Sequence, residues 1–446
     1  MPRPSKTRSL LVFMNGEDVG KLISSPTGVL TFTYSESWLN SKNKRSISLS
    51  LPLTAHGVSG YLVDNFFDNL LPDNVNIKNR IQARFGSVSN GCFDLLWHIG
   101  KDCVGALQFL REGGTQGSVK KIEAEPVTDS SISEILQNYQ TMPLGMGRDD
   151  DDFRISIAGA QEKTALLWHN NQWCKPIGTT PTTHIIKLPI GVTRKLDLSE
   201  SVENEWLCHL ILKAYGLDVA NTSMHVFDET KTLVVERFDR RLSSDKSWII
   251  RLPQEDMCQA IGVPAQLKYE QDGGPGIQKI LRLLRGSENN EQDQYVFMKT
   301  QFLFWILAAI DGHAKNFSVF LLPEDRYKLT PLYDVMSAHP YVKSKQIRIQ
   351  NIKMAMALDG KGRHYAWEQI QERHWAITSK KNDFNVLTMN QIITDVFDNL
   401  QTVVDSVKSL IPPGFPELIA DSIFSGMYHS KHYFKRQGIR ITNLMR

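Results

Sequence analysis

The chain has 446 residues, 41% of them hydrophobic and 22% charged, with a formal net charge of +3. That length holds two or three domains with a sizeable core each, and the composition is that of a soluble globular protein. The charge excludes nucleic-acid binding by bulk electrostatics, so any basic patch has to be local.

The five cysteines (Cys92, Cys103, Cys174, Cys208 and Cys258) are odd in number and form no Cys-x-x-Cys pair. This argues against a disulfide framework and against a zinc cluster. The opening "MPRPSKTRSLLVFMNGEDVG" has a basic start but only five apolar residues before polar ones resume, too few for a signal peptide. The longest apolar stretch, Phe302 to Ile310, falls well short of the roughly 20 residues that a bilayer requires. The expectation is a cytoplasmic, reducing environment and no membrane partner.

In chain order, residues 1–115 begin with short strand-like runs, "SLLVFMN", "VGKLISS" and "GVLTFTYS", separated by turns. They continue with helical periodicity in "GYLVDNFFDNLLPDNVNIKNRIQARFG". They carry no catalytic constellation and read as an accessory domain. Residues 116–152 are polar, end in four consecutive aspartates (Asp149 to Asp152), and read as a solvated linker. From Phe153 the pattern "FRISIAGAQEKTALLW" alternates around the small residues Ala158, Gly159 and Ala160, which predicts a hairpin with a tight turn. "THIIKLPI" predicts a strand, "SVENEWLCHLILKAYGL" a helix stopped by Gly216, and "TLVVERFDR" another strand. Long helical patterns follow the Gly-rich "EQDGGPGI" and dominate to the end of the chain.

The chemistry concentrates in "DGHAKNFSVFLLPEDRYKLTPLYD". Asp311 and Asn316 are five residues apart, and a predicted hairpin turning at "PEDR" returns the chain to Asp334. Protein kinases use this order: a loop Asp takes or orients the proton of the attacking hydroxyl, while an amide oxygen and a second carboxylate hold Mg²⁺ on the phosphates. Mg²⁺ suits such hard oxygen ligands and draws only one or two from the protein.

An Asp-x-x-x-x-Asn pattern alone is weak, and the elements upstream strengthen it. A small-residue turn can bring backbone N–H groups to phosphates. Lys187 sits on a predicted strand, a helix with Glu203 and Glu205 can supply its anionic partner, and "VVERFDR" stands where a hinge would bond adenine. "GAQEKT" lacks the Gly-Lys-Ser/Thr end of a Walker A motif, which disfavours a P-loop enzyme. Each residue taken singly has a plainer role: Lys187 as a surface lysine, His313 as a packing group, Glu205 on a solvated face, Asp334 as the cap of a helix at "VMSAHP". Their occurrence together in one order argues for phosphoryl transfer.

The same stretches, with "PTTHIIKLPIG", "RLPQEDMCQ", "KYEQDGGPGI" and the N-terminal "SLSLPL" and "FFDNLLPD", resemble the HipA toxin kinases of bacterial toxin–antitoxin modules. The resemblance implies an α+β fold: a two-lobed protein-kinase-like core, related to phosphatidylinositol kinases. A β-rich N-terminal accessory domain (1–115) and a linker (116–152) precede it. The N-lobe would span 153–250, with phosphate loop and hinge, and a mostly helical C-lobe 251–446.

It further implies ATP and Mg²⁺ as cofactors. Ala158, Gly159, Ala160, Gln161, Glu162 and Lys163 would form the phosphate loop, Lys187 would bind phosphate, and Glu236, Arg237 and Phe238 would hold adenine. Asp311 would be the proton acceptor, and His313, Ala314, Lys315 and Asn316 would line the nucleotide. Asn316 and Asp334 would bind Mg²⁺, with Tyr333 beside them.

Ser156 falls on the family's autophosphorylated serine. A phosphate there adds about −1.5 to −2 charges beside a loop that cradles a triphosphate, so the modification is expected to inactivate. The implied partners are a HipB-like helix-turn-helix antitoxin, operator DNA mainly through that antitoxin, and a protein substrate, glutamyl-tRNA synthetase in the family's toxic members. Basic residues at Lys380 and Lys381 and in the C-terminal tail leave direct DNA contact open. The competing readings are a catalytically weak antitoxin-binding corepressor and a small-molecule or lipid kinase.

Overall fold

Alternation in "RSLLVFM" puts Leu10, Val12 and Met14 on one buried face, as a half-buried strand requires. The computed structural model describes residues 7–113, 117–138, 161, 163–193 and 196–444, with backbone alone beyond 436. It divides into two compact units, each assembled from three stretches of chain: 1–188, 225–266 and 318–327 form the first, and 189–224, 267–317 and 328–446 the second.

In the first unit an antiparallel sheet runs in spatial order Val58–Ser59, Leu30–Tyr34, Glu17–Ser24, Arg8–Met14, Leu107–Arg111. Helices Tyr61–Asp68, Val75–Phe85 and Cys92–Ile99 follow the early strands. A second sheet has the order Thr230–Glu236, His184–Lys187, Lys163–His169, Gln172–Pro176, Ala124–Pro126 among the strands wholly in this unit. The turn of its hairpin is made by Asn170 and Asn171, both at positive φ (51° and 59°), where asparagine is favoured and the twist matches the strands.

One apolar core serves both sheets. Leu10, Phe32, Phe67 and Leu96 share it with Ala165, Ile186, Phe227 and Val234. The segment expected as a solvated linker takes part as well. Ala124–Pro126 pairs with Gln172–Pro176, and helix Asp129–Gln137, capped by Thr128, buries Ile132 and Leu136. That four-residue spacing between two apolar side chains was hidden in a polar stretch.

A buried ionic cluster ties the start of the chain to the second sheet. Asp102 meets Arg240 at 2.8 Å, Arg237 at 3.3 Å and Arg251 at 3.4 Å, and accepts from the Thr182 hydroxyl at 2.7 Å. Burial pushes its carboxyl up, but the three guanidiniums outweigh burial and hold it far below the ordinary carboxylate range. Asp239 completes the cluster, bonded by Arg237 at 2.9 Å and by the Gly105 N–H at 2.7 Å.

The second unit is mostly helical. Helix Asn290–Leu307 carries Glu291 and Asp293 in its first turn, where they suit the helix dipole, and is apolar almost all round in its second half, as a core helix is. Around it pack aromatic rings. Trp305 and Trp367 stack with centroids 5.2 Å apart, and each indole N–H donates to the other's carbonyl, at 3.2 and 2.7 Å. Helices Glu372–Lys381, Val386–Asp398, Leu400–Lys408 and Glu417–Leu444 complete the bundle, beside a ribbon of Lys353–Asp359 and Arg363–Ala366. Among the described residues no helix is long and apolar enough to cross a membrane. All five cysteines are buried and free.

Candidate active site

The long helix ends at Ala308, which takes a left-handed conformation (φ 49°) and turns the chain sharply into the loop. Gly312 follows, and a Cβ there would collide with the Phe304 ring. The loop then closes on itself: the His313 N–H donates to the Asp311 carbonyl at 2.8 Å, and the Asn316 N–H to the His313 carbonyl at 3.0 Å. Ala314–Asn316 forms a 3₁₀ turn. Ala314 and Lys315 are buried, and the Tyr333 hydroxyl donates to the Lys315 carbonyl at 2.7 Å.

Asn316 decides the geometry. Its Nδ2 donates to the Asp311 carbonyl at 2.9 Å and to the Asp334 carbonyl at 3.2 Å. With both amide hydrogens used on backbone, the network assigns the flip and leaves Oδ1 as a fixed acceptor. Asp334 itself is left-handed (φ 61°), a sparsely populated region that marks functional turns more often than ordinary ones. It does not cap the following helix, His339–Lys343, whose N-cap is Ala338. Just before that helix, Ser337 is locked by Asn204, whose amide accepts its N–H and donates to its carbonyl, both at 2.8 Å.

This donor set fits a magnesium ion. It offers a neutral amide oxygen and a carboxylate from a constrained turn, both hard ligands. Among the described residues no group of three or more His, Cys, Asp or Glu side chains could hold a metal by itself, and a nucleotide-borne ion does not need one.

The Asp311 side chain is half exposed, at 50%. Its Oδ1 accepts from the Tyr269 hydroxyl in a short hydrogen bond and lies 3.8 Å from His313 Nε2. Burial first, then the charge of Asp311, hold the Tyr269 phenol well above its usual range, so it is a donor at any physiological pH. Burial lowers His313, with Asp311 only partly opposing it, which leaves a neutral imidazole edge-on to the Tyr269 ring at 4.9 Å. Beside these groups opens a cleft of about 320 Å³ lined by Tyr269, Asp272, Ile310, Asp311, Lys353 and Met354, among others.

The first unit holds the remaining expected residues. Ser156, Ala158, Gly159, Ala160 and Glu162 lie outside the described residues. Gln161 donates to the Leu188 carbonyl at 2.8 Å. Lys163 and Lys187 are direct cross-strand partners, so their side chains share one face, and both are buried.

Of the expected adenine hinge, Glu236 is an exposed strand end, and Phe238 meets Phe320 edge-on at 5.8 Å. The Arg237 side chain belongs to the ionic cluster, and its backbone N–H donates to the Thr183 carbonyl at 2.9 Å. In the second unit Glu203 and Glu205 are buried rather than solvated, and Glu205 faces His209 at 3.9 Å.

Sequence reasoning gave Tyr269 no role, although it quoted the motif that contains it. Its contact with Asp311 spans 42 positions, and no spacing rule reaches that far. The run of glycines after it was the available signal.

Comparison with known proteins agrees with this architecture. The profile of the HipA-like C-terminal domain matches residues 155–404, and that of the HipA N-terminal domain matches residues 10–110. A putative kinase, Y4mE, from Sinorhizobium fredii (strain NBRC 101917 / NGR234) is 32% identical over 404 residues, 90% of this chain and 92% of that protein. The serine/threonine-protein kinase toxin HipA of Shewanella oneidensis is 27% identical over 368 residues, 80% of this chain and 79% of the toxin. The solved complex of Shewanella oneidensis MR-1 HipA with HipB and its operator DNA shares the fold, with a TM-score of 0.80 over 95% of this chain and 97% of that one, at 22% identity. Two domain matches in the right order, together covering most of the sequence, and relatives named as kinases leave one assignment: the chain belongs to the HipA family.

Proposed function

We propose that this protein is a serine/threonine-protein kinase, the toxin of a toxin–antitoxin pair, transferring the γ-phosphoryl group of ATP. The observation that carries the reading is the Asn316 amide, pinned by the Asp311 and Asp334 carbonyls so that its oxygen remains as an acceptor for a cation. Asp311, half exposed at the cleft, is assigned to take the proton of an acceptor hydroxyl as that oxygen bonds the γ-phosphorus and ADP leaves. Asn316 and Asp334 would hold Mg²⁺, which supplies charge neutralisation on the phosphates. Lys163 and Lys187 bring two ammonium groups to one buried face and are assigned to the phosphates.

The finer assignments follow family membership. Residues 158–163 are assigned to the phosphates and the backbone of 236–238 to adenine, and Ser156 is assigned as the self-inactivating phosphorylation site. A HipB-like antitoxin is the protein partner, operator DNA is reached through it, and glutamyl-tRNA synthetase is the substrate. Of the two candidate DNA lysines, Lys381 pairs with Asp359 at 3.3 Å and Lys380 is exposed.

The test is intact-mass spectrometry of unphosphorylated protein before and after incubation with ATP and Mg²⁺, alongside Asp311→Gln. One added phosphate on Ser156, absent from the variant, is the expected result. No gain in the wild-type protein would move the assignment to an antitoxin-binding corepressor with a silent kinase core.

A further inference from the structure

We infer that Tyr269 is the positioning residue of the phosphoryl-transfer centre: its hydroxyl, presented by the anchored loop Lys268–Gly276, fixes the Asp311 carboxylate for the incoming acceptor. The inference deepens the kinase reading and rests on it.

The loop is built to hold that one hydroxyl. Its start is tied to the catalytic loop, because the Lys268 carbonyl accepts from the Ala314 N–H at 3.2 Å. Glu270, directly after Tyr269, turns away from solvent and is anchored twice, accepting from the Ala357 N–H at 2.7 Å and from the Arg363 guanidinium. Arg363 is itself held by Asp359 at 3.1 Å. The glycines then make room. A Cβ at Gly274 would collide with the Leu267 carbonyl, and one at Gly276 with the Glu270 carboxylate. Thus the sequence "KYEQDGGPG" has an anchor (Glu270), a fold-back that only glycine permits, and a tyrosine whose hydroxyl reaches Asp311.

The contacts on Asp311 are one-sided. The Tyr269 hydroxyl bonds Oδ1, and His313 approaches the same oxygen at 3.8 Å. The imidazole is too distant for a hydrogen bond, so Tyr269 is the group that sets the carboxylate's rotation. Oδ2 is left for the acceptor hydroxyl, and Tyr269 also walls the cleft through which that hydroxyl arrives. In the transfer the hydroxyl proton passes to Asp311, the hydroxyl oxygen bonds the γ-phosphorus, and the bond to the ADP oxygen breaks. Tyr269 keeps its own proton throughout and acts only by holding the acceptor of the other one. A small misplacement of such a group costs rate without costing nucleotide affinity.

Tyr269→Phe tests this, because it keeps the ring against His313 and removes one hydroxyl. Wild-type and variant protein are incubated with saturating Mg²⁺–ATP, phosphate incorporation is timed by intact mass, and Mg²⁺–ATP affinity is measured by calorimetry. The expected result is a rate lower on the order of 10–100-fold with Kd changed by no more than about twofold. An unchanged rate overturns the inference, as does a rate loss matched by an equal loss of affinity, which would mean general damage to the site. A wild-type protein that binds Mg²⁺–ATP and transfers no phosphate sinks the kinase reading and this inference together, whereas an active wild type with an equally active variant sinks only the inference.

Discussion

Glu255 shows how much a single side chain can bind together in this molecule. It is fully buried, and one oxygen accepts from the Leu49 N–H at 2.8 Å, joining "QED" to the N-terminal "SLSLPL". Burial, with a smaller push from Asp256, raises its carboxyl to about 8 against the opposing hydrogen bonds of Leu49 and Ser48. The sign follows directly. Folded protein keeps this proton up to about pH 8, whereas an unfolded glutamic acid releases it near pH 4.3. Between those values the native state binds more protons, so stability falls as pH rises. At about 1.4 kcal/mol per pH unit the loss amounts to a few kcal/mol. Glu255→Gln keeps an acceptor for Leu49 and cannot titrate. Its denaturation midpoint should therefore lack the wild-type decline between about pH 5 and 8, the two proteins converging toward the acidic end. Parallel pH profiles would remove Glu255 as the source.

At the same scale, the meeting of Asp311, Asn316 and Asp334 was legible because the three lie within one loop and the hairpin that follows it. Tyr269 and Glu255 were not, since their partners lie 42 and 206 positions away.

Among the elements, the strand ending in "VVERFDR" shows where pattern reading stops. Its alternation gave the strand, and the observed Thr230–Glu236 agrees. Its exit is expected to bond adenine through the backbone, and the Arg237 side chain serves a separate purpose, reaching into the ionic cluster around Asp102. Alternation does not reveal that role, because the buried carboxylate it meets lies 135 residues earlier. The cluster holds three arginines against Asp102 and Asp239, all buried or nearly so. Removing a partner from such a group strands charge in a poor solvent, which costs more than the pair contributes when whole. Asp102→Ala should destabilise the protein by roughly 3–5 kcal/mol in chemical denaturation, far beyond an ordinary surface change. An effect under about 1 kcal/mol would show that the cluster is hydrated rather than sealed. The same logic accounts for the segment read as a linker: a helix with two buried apolar side chains in nine residues is too short for periodicity to rise above its polar surroundings.

For the molecule as a whole, the chain order of domains and their physical order differ. Residues 1–115 are expected as an accessory domain because they carry no catalytic constellation. In the structure its sheet and the sheet bearing Lys163 and Lys187 share one apolar core and the Asp102 cluster, within a single compact unit. A polar linker in sequence says only that the linker is solvated in places; it does not say that the bodies on either side have separate cores. Removing residues 1–115 would uncover Ala165, Leu166, Ile186, Phe227 and Val234, now packed against Leu10, Phe32 and Phe67, and would leave Arg237, Arg240 and Arg251 without Asp102. A fragment of residues 116–446 should therefore be insoluble, or bind a hydrophobic dye and unfold without a cooperative transition. A fragment that is soluble, unfolds cooperatively and binds Mg²⁺–ATP with the affinity of the full chain would restore the accessory region to the status of an independent domain. The difference matters for function: if the core is shared, a ligand or partner seated on residues 1–115 acts on the sheet that carries Lys163 and Lys187 through the packing of that core.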